Sequence, residues 1–235
     1  MQARMGSSRL PGKVLLKAGG KTFLEHAFGR LEMAQTVDQC VVATTTEDRD
    51  DVLSDFCESR GWACSRGPEQ DVLARYYEAA RQFPSDIIVR VTADCPLLDP
   101  DLIDQVVELL VRGQPAMAYA SNVIEPRHFP RGLDVEAFKF CALEEAWKET
   151  SDPSDREHVT PFLRNHPDKF PQSALHARQN NASHRWTLDT PEDQQLLTRI
   201  LDHAPDPASW ETILTLVETH PEWNQLNAMI RQKEQ

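Results

Sequence analysis

The chain has 235 residues, with 25 Lys or Arg against 37 Asp or Glu, and therefore a formal net charge of −12. This length and a charged fraction of 26% are typical of one globular domain and exclude a disordered chain. The acidic balance argues against a nucleic-acid partner, and no apolar run approaches the roughly 20 residues of a membrane span, so we predict no membrane partner. The lack of a signal-peptide core and five cysteines without C-x-x-C spacing indicate a cytoplasmic protein without disulfides or a zinc site.

Strand-like and helix-like segments alternate through the first half of the chain. Apolar runs predict strands over residues 40–44 and 86–92, and helical spacing predicts helices over 47–60, 71–82 and 99–112. In the last helix, Asp99 is the expected N-cap and Pro100 the first residue. Alternation of this kind predicts an α/β fold with a mainly parallel sheet.

The second half is less regular. Residues 116–140 carry short strand-like pieces broken by prolines, and we predict a small inserted ribbon or lid there. A late strand is expected over residues 183–188 and a helix over 190–203, followed by a helical tail over 207–235. We predict that residues 1–235 form a single domain.

The N-terminal loop, residues 5–13, has a composition suited to binding phosphate. Its backbone N–H groups, freed by glycine, and the terminal Lys13 can hold phosphate oxygens. It is not a Walker A loop, because five residues separate Gly6 from Gly12 and Val14 follows the lysine. Five basic residues also precede the first acidic one, Glu25; they are Arg4, Arg9, Lys13, Lys17 and Lys21. The alternative, a solvated basic tail, does not explain the turn or the apolar run that follows it.

Two aspartates follow predicted strands. Asp94 lies two residues after the strand predicted over residues 86–92, and Asp189 directly follows the strand predicted over 183–188. Ligands of an open parallel sheet bind beyond the carboxyl ends of its strands, and a carboxylate there can hold Mg²⁺. For Asp94 alone, a turn before proline is an equally simple explanation. After Asp189, helix capping accounts for Thr190, Pro191 and Asp193.

Residues 2–13, read as Gln-Ala-Arg-Met-Gly-Ser-Ser-Arg-Leu-Pro-Gly-Lys, resemble the signature loop of the cytidylyltransferases that activate acidic sugars. This group includes CMP-Kdo synthetase and acylneuraminate cytidylyltransferase, and the spore coat polysaccharide biosynthesis protein F type is the branch most similar to this chain. The resemblance extends to about His203. It implies a Rossmann-like nucleotidyltransferase (GT-A-like) fold, CTP as substrate, Mg²⁺ or another divalent cation, release of pyrophosphate and a homodimer.

The same resemblance implies roles for particular residues. Arg4 and Lys13 correspond to the positions that hold the triphosphate, and Arg9 lies in the same loop, so all three are expected to be catalytic. Asp94 and Asp189 correspond to the metal-binding pair. The nucleotide-binding residues expected from the loop and from the segment 67–75 beside the base are Ala3, Arg4, Gly6, Ser7, Ser8, Lys13, Asp71 and Arg75. Asp71 is equally well explained as a helix cap.

Three residues are candidates for the acceptor side of the site. Arg156 and His158 lie in a segment similar to one of the same branch, and Arg131 could face an acidic substrate. The alternatives are a structural histidine and a solvated loop arginine. Cys95 has no adjacent histidine, so we predict that it is not a nucleophile.

The chain departs from the family pattern at its start, where only Met1, Gln2 and Ala3 precede Arg4. The family has a longer apolar strand there, central in the sheet. We expect either that the natural chain begins further upstream or that a short strand survives.

Three functions compete. The leading one is transfer of CMP from CTP to an acidic sugar or related anion for surface polysaccharide synthesis. A glycosyltransferase using a nucleotide sugar is disfavoured because Asp94-Cys95-Pro96 replaces an Asp-x-Asp pair. A nucleotide-binding homologue without catalysis is the third, and the shortened first strand favours it.

Overall fold

The computed structural model describes residues 1–113 and 115–230. Its strands are β1 Lys17–Ala18, β2 Lys21–Thr22, β3 Val41–Thr45, β4 Ala63–Gly67, β5 Ile87–Arg90, β6 Tyr119–Ser121, β7 Glu136–Lys139 and β8 Gln172–Ala174. Its helices are α1 Phe23–Leu31, α2 Asp51–Arg60, α3 Val72–Gln82, α4 Pro100–Arg112, α5 Phe140–Glu149, α6 Pro153–His158, α7 Pro161–Asn165, α8 Pro191–His203, α9 Trp210–Glu218 and α10 Pro221–Asn224. None of the helices formed by these residues is long and apolar enough to cross a bilayer.

The sheet is mixed. Strands β3 and β4 pair in parallel, and a second group follows the order β5-β7-β6-β8. Within that group β7 is antiparallel to both β5 and β6, whereas β6 and β8 are parallel. The predicted α/β fold is therefore confirmed, with β7 running against its neighbours.

The first three residues form isolated β-bridges, a minimal version of the short strand that was one of the two expectations. Gln2 bridges in parallel to Ala43 on one side and to Thr92 on the other. Its N–H donates to the Val91 carbonyl at 3.1 Å, and its own carbonyl accepts from Ala93 N at 3.0 Å. This segment therefore joins β3 to β5 and fixes the start of the N-terminal loop.

Helices cover both faces of the sheet. Leu24 and Phe28 of α1 and Ile103 of α4 are buried in one apolar cluster, while Leu73 of α3 and Leu143 of α5 are buried in another. A third cluster joins α8 to the C-terminal helices through side chains such as Leu197, Ile213 and Trp223. These layers leave the carboxyl ends of the parallel strands open.

Two helix starts agree with the sequence prediction. Asp99 accepts from the N–H groups of Asp101 and Leu102 at 2.9 and 3.3 Å and caps α4. Thr190 and Asp193 form the capping box of α8. Both starts are specified by local hydrogen bonds, which is why the sequence reveals them.

Two segments differ from their predictions. The ends of the segment 116–140 are β6 and β7 of the sheet, and residues 122–135 form the connection between them. Residues 183–188 form no strand ladder: Arg185 makes only an isolated parallel bridge to Arg131, in which Trp186 N donates to Arg131 O at 2.7 Å, and Leu188 N donates to Asp94 O at 2.8 Å. The tail forms α9 and α10 as expected, and its last five residues lie outside the described part.

Candidate active site

A cavity of about 500 Å³ opens at the carboxyl ends of the strands. The N-terminal loop, the turn after β5, the segment before α8 and the connection from β6 to β7 all contribute to its walls. The predicted site residues that line it are Ala3, Arg4, Gly6, Ser7, Ser8, Arg9, Lys13, Arg75, Asp94, Arg131, His158 and Asp189. With α3, which carries Arg75, and α6, which carries His158, six separate stretches of sequence thus meet at one place.

The N-terminal loop is fixed at both ends. Met5 N donates to Asp50 Oδ1 at 2.6 Å, and Gly12 N donates to the Met5 carbonyl at 3.1 Å. Gly12 has a φ of 67°, a left-handed conformation that glycine adopts without strain. The chain then enters a 3-10 turn over Lys13–Leu15, which directs Lys13 into the cavity.

Lys13 lies between the two candidate metal ligands. Its Nζ is 2.7 Å from Asp94 Oδ2 and 2.8 Å from Asp189 Oδ1. Arg9 Nη2 adds a contact of 3.1 Å to Asp189 Oδ2. Burial alone would lower the pKa of Lys13, but the two carboxylates outweigh it and raise this pKa. Burial would raise the pKa of Asp189, yet Lys13, Arg185 and Arg9 lower it to about 2, so the carboxylate is ionised at neutral pH.

Arg185 is a site residue that the sequence analysis missed. Its Nη2 donates to Asp189 Oδ2 at 2.8 Å, and its Nε donates to Asp193 Oδ1 at 2.9 Å. The side chain is buried, and the capping role assigned to Asp193 did not suggest an arginine partner. A basic residue inside a predicted strand was the available signal, because a charge that the fold buries needs a partner.

The donor set at the aspartates fits a divalent cation. The Lys13 ammonium already occupies the position between both carboxylates as a stand-in cation. Within the described residues no cluster of three His, Cys, Asp or Glu side chains could hold a metal. Two carboxylates nevertheless suit Mg²⁺, which usually keeps several waters and binds phosphate oxygens as well.

The end of the cavity nearest β4 carries two arginines. Arg4 Nη1 lies 3.6 Å from Glu69 Oε1, and Arg75 donates from Nη1 to the Pro68 carbonyl at 3.2 Å. Arg75 is only 2% exposed, and its Nε has no hydrogen-bond partner in the described part of the chain. Burial and the charge of Arg4 are among the causes that lower the pKa of Arg75. An acceptor atom of a ligand would satisfy this donor.

Arg131 and His158 also line the cavity, and both are half-buried. Burial and the neighbouring Arg127 and Arg185 lower the pKa of Arg131, although the carboxylate of Asp134 acts in the opposite direction. A hydrogen bond of 2.9 Å from Thr160 N to the His158 carbonyl closes a tight turn at Val159, the residue between them. Thr160 Oγ1 in turn donates to the buried Glu136 at 2.5 Å.

Asp71 and Arg156 lie outside the cavity lining. Asp71 caps α3 by accepting from Ala74 N at 2.8 Å, and Arg156 Nη1 contacts its other oxygen at 3.2 Å. Arg156 also donates to the carbonyls of Thr150 and Trp147. The pair therefore joins α3 to α6, and both side chains are occupied by structural contacts.

Cys95 is buried beside the aspartates. Burial and the charge of Asp94 raise the pKa of its thiol well above the ordinary value. The residue is consequently a thiol at neutral pH, which is consistent with the predicted lack of nucleophilic character.

Comparison with known proteins gives consistent matches. Residues 1–234 match the family model described as cytidylyltransferase. The spore coat polysaccharide biosynthesis protein SpsF of Bacillus subtilis is 30% identical over 234 residues, covering 94% of each chain.

Solved structures agree with the sequence matches. A cytidylyltransferase from Leptospira borgpetersenii superposes with a TM-score of 0.91 at 32% identity, covering 100% of this chain and 96% of that one. A CMP:2-keto-3-deoxy-manno-octonic acid synthetase complexed with CTP has a TM-score of 0.63 at 20% identity, covering 86% and 96%. The second likeness is one of fold alone.

Proposed function

Because this chain belongs to the cytidylyltransferase family, we propose that it transfers CMP from CTP to an acidic, sugar-like acceptor and releases pyrophosphate. The observation that carries the proposal is the meeting of Lys13 and Arg9 with Asp94 and Asp189 in one cavity. Cationic side chains for a triphosphate and carboxylates for a divalent cation are the two groups that such a transfer needs.

In the proposed reaction an acceptor hydroxyl forms a bond to the α-phosphorus of CTP. The bond from that phosphorus to the bridging oxygen of the β-phosphate breaks, pyrophosphate leaves, and the hydroxyl proton is released to water. Lys13, Arg9 and Arg4 bind the triphosphate and offset the charge that grows on the leaving group. Asp94 and Asp189 would hold Mg²⁺, which neutralises phosphate oxygens when it is bound. Catalysis is then mainly positioning and charge neutralisation.

Two residues of the cavity lining support an anionic acceptor. Arg131 offers a cation, and His158 offers a second polar group. The similar proteins carry names that refer to spore coat polysaccharide and to an acidic sugar. We therefore include a role in surface polysaccharide synthesis in the proposal, together with a homodimer, which light scattering would test.

The first test measures nucleotide binding and turnover. A thermal-shift screen of CTP, GTP, UTP and ATP with and without Mg²⁺ should give its largest stabilisation with CTP and Mg²⁺, because a ligand of the folded state raises the melting temperature. Pyrophosphate release from CTP is then measured with 3-deoxy-manno-octulosonate and with a nonulosonic acid. Stabilisation by another nucleotide alone, or binding without release for every acidic sugar, would contradict the proposal.

Replacing either aspartate should abolish turnover. We expect Asp94→Asn and Asp189→Asn each to lower pyrophosphate release by at least about 100-fold, because a neutral amide is a poor ligand for a divalent cation. Asp101→Asn, an exposed change in the first turn of α4, is the matched control and should keep wild-type activity. Circular dichroism checks that the variants fold. A folded Asp189→Asn variant with normal turnover would refute the metal assignment.

A further inference from the structure

A buried polar network lies behind the Asp189 carboxylate. At its centre is Asp193, which is fully buried. Arg185 donates to it twice, from Nε at 2.9 Å and from Nη2 at 3.0 Å, and Asn227 Nδ2 donates at 2.8 Å. The backbone N–H groups of Asp189 and Thr190 add two further contacts of 3.1 Å.

Helix capping accounts for only part of this network. The capping box needs the contacts between Thr190 and Asp193, and it needs no arginine and no asparagine. The guanidinium of Arg185 spans the two carboxylates, since Nη2 also contacts Asp189 Oδ2 at 2.8 Å. Its planar fork of donors fixes one carboxylate relative to the other. The position of Asp189 is thereby fixed through both its backbone N–H and its side chain.

Asn227 brings the C-terminal segment into this arrangement. It follows α10 and lies 34 residues after Asp193, yet its Nδ2 contacts both Asp193 Oδ1 and, at 3.0 Å, the Arg185 carbonyl. The side chain is buried, so these contacts are made away from water. One amide thus holds Arg185 at its backbone and at its partner carboxylate.

We propose that Arg185 and Asn227 are positioning residues that hold the Asp189 carboxylate in the orientation in which it binds the divalent cation. The inference rests on the proposed function. Partners behind a metal ligand fix its orientation, and their loss typically lowers metal affinity by about 10–100-fold. Arg185 contacts Asp193 and Asp189 together and in this way keeps Asp189 in place.

The test measures cation binding without turnover. The free Mn²⁺ concentration is followed by electron paramagnetic resonance in the presence of saturating CTP and no acceptor, using the full chain. Asn227→Leu removes the amide at nearly constant volume, and Arg185→Lys keeps the charge but loses the fork. Gln225→Ala, an exposed change in the same segment, is the control. Affinity for CTP without metal and the melting temperature are measured in parallel.

We expect Asn227→Leu and Arg185→Lys to weaken Mn²⁺ binding by about tenfold or more while metal-free CTP affinity stays within about twofold of wild type. Mn²⁺ affinities of both variants equal to wild type would overturn the inference. A similar loss of affinity for Mn²⁺ and for CTP, together with a lower melting temperature, would overturn the inference as well, because this result indicates a purely structural role. If Asn227→Leu does not fold, Arg185→Lys decides.

A wild-type result separates this inference from the function itself. Wild-type protein that binds no Mn²⁺ with CTP would contradict the proposed function, and the inference would fall with it. Wild-type binding with unaffected variants would contradict the inference alone.

Discussion

Val159 has a backbone conformation that is unusual for its side chain. Its φ is 73° and its ψ is −53°, a strained region for a β-branched residue, and the side chain is fully buried. The hydrogen bond from Thr160 N to His158 O closes a tight γ-turn around it. Because this turn presents Glu157 and His158 to the cavity wall, the strain lies where a binding site needs a fixed geometry.

A pair of substitutions isolates that strain. Val159→Ala and Val159→Gly both remove the buried side chain, but only glycine adopts the positive φ without steric conflict. We expect the glycine variant to be more stable than the alanine variant by about 1 kcal/mol, the reverse of their order in a helix. Urea unfolding at neutral pH measures the difference. An alanine variant as stable as the glycine variant would show that the turn is unstrained.

Elements with local signals were predictable from the sequence, and elements that depend on distant neighbours were not. Asp99 and Thr190 indicated where their helices begin, because the side chain of a helix cap accepts hydrogen bonds from N–H groups of the first turn of the same helix. Residues 183–188 have the composition of a strand, but their N–H groups bond to two loops. The pairing of β6 with β7, which the connection 122–135 joins, likewise could not be predicted from the spacing of apolar residues.

The candidate site divides in the same way. The sequence placed Asp94 and Asp189 at one edge of the sheet because each follows a predicted strand, whereas Lys13 was added to the site by the composition of its loop and by the family resemblance. Asn227 reaches the network only through the packing of the C-terminal helices, and no local pattern marks such a contact. Asp71 had two explanations in the sequence, and the structure shows it capping α3 outside the cavity lining.

Two connections that form the cavity wall touch at Gly132. Its φ is 103°, and a Cβ there would lie 2.5 Å from the backbone of Trp186. We expect Gly132→Ala to lower the free energy of unfolding by at least about 2 kcal/mol, because neither backbone can move without displacing the segment before Asp189. Thermal or urea unfolding measures the loss.

Gly29 of α1 is the matched control. A Cβ at this position would meet no atom within 4 Å, so Gly29→Ala should stabilise the protein by about 0.5–1 kcal/mol through helix propensity. A Gly132→Ala variant as stable as wild type would contradict the close packing of the two connections.

Over the whole molecule, the acidic balance does not extend to the candidate site. The net charge is −12, yet at the aspartates three carboxylates are balanced by three cationic side chains, those of Lys13, Arg9 and Arg185. Counting the buried Asp193 with Asp94 and Asp189, this cluster is neutral before any ligand arrives. Because the Lys13 ammonium lies between Asp94 and Asp189, a free divalent cation must displace it to bind both carboxylates.

Removing the Lys13 ammonium should strengthen the binding of a divalent cation. We expect Lys13→Met to bind Mn²⁺ in the absence of nucleotide about tenfold or more tightly than wild type, while it loses affinity for CTP. Lys21→Met removes an equal charge at an exposed pair with Asp206 and should change neither. Calorimetric titration with Mn²⁺ measures the difference, and unchanged Mn²⁺ binding in Lys13→Met would show that the ammonium does not compete for the carboxylates.

The position of Lys13 also has a thermodynamic consequence. If a triphosphate draws the ammonium away from Asp94 and Asp189, nucleotide binding strengthens cation binding, and by linkage the cation strengthens nucleotide binding by the same factor. The two ligands then occupy the site together rather than one by one. A site neutralised by its own lysine is thus filled most readily when nucleotide and cation are present together, because each strengthens the binding of the other.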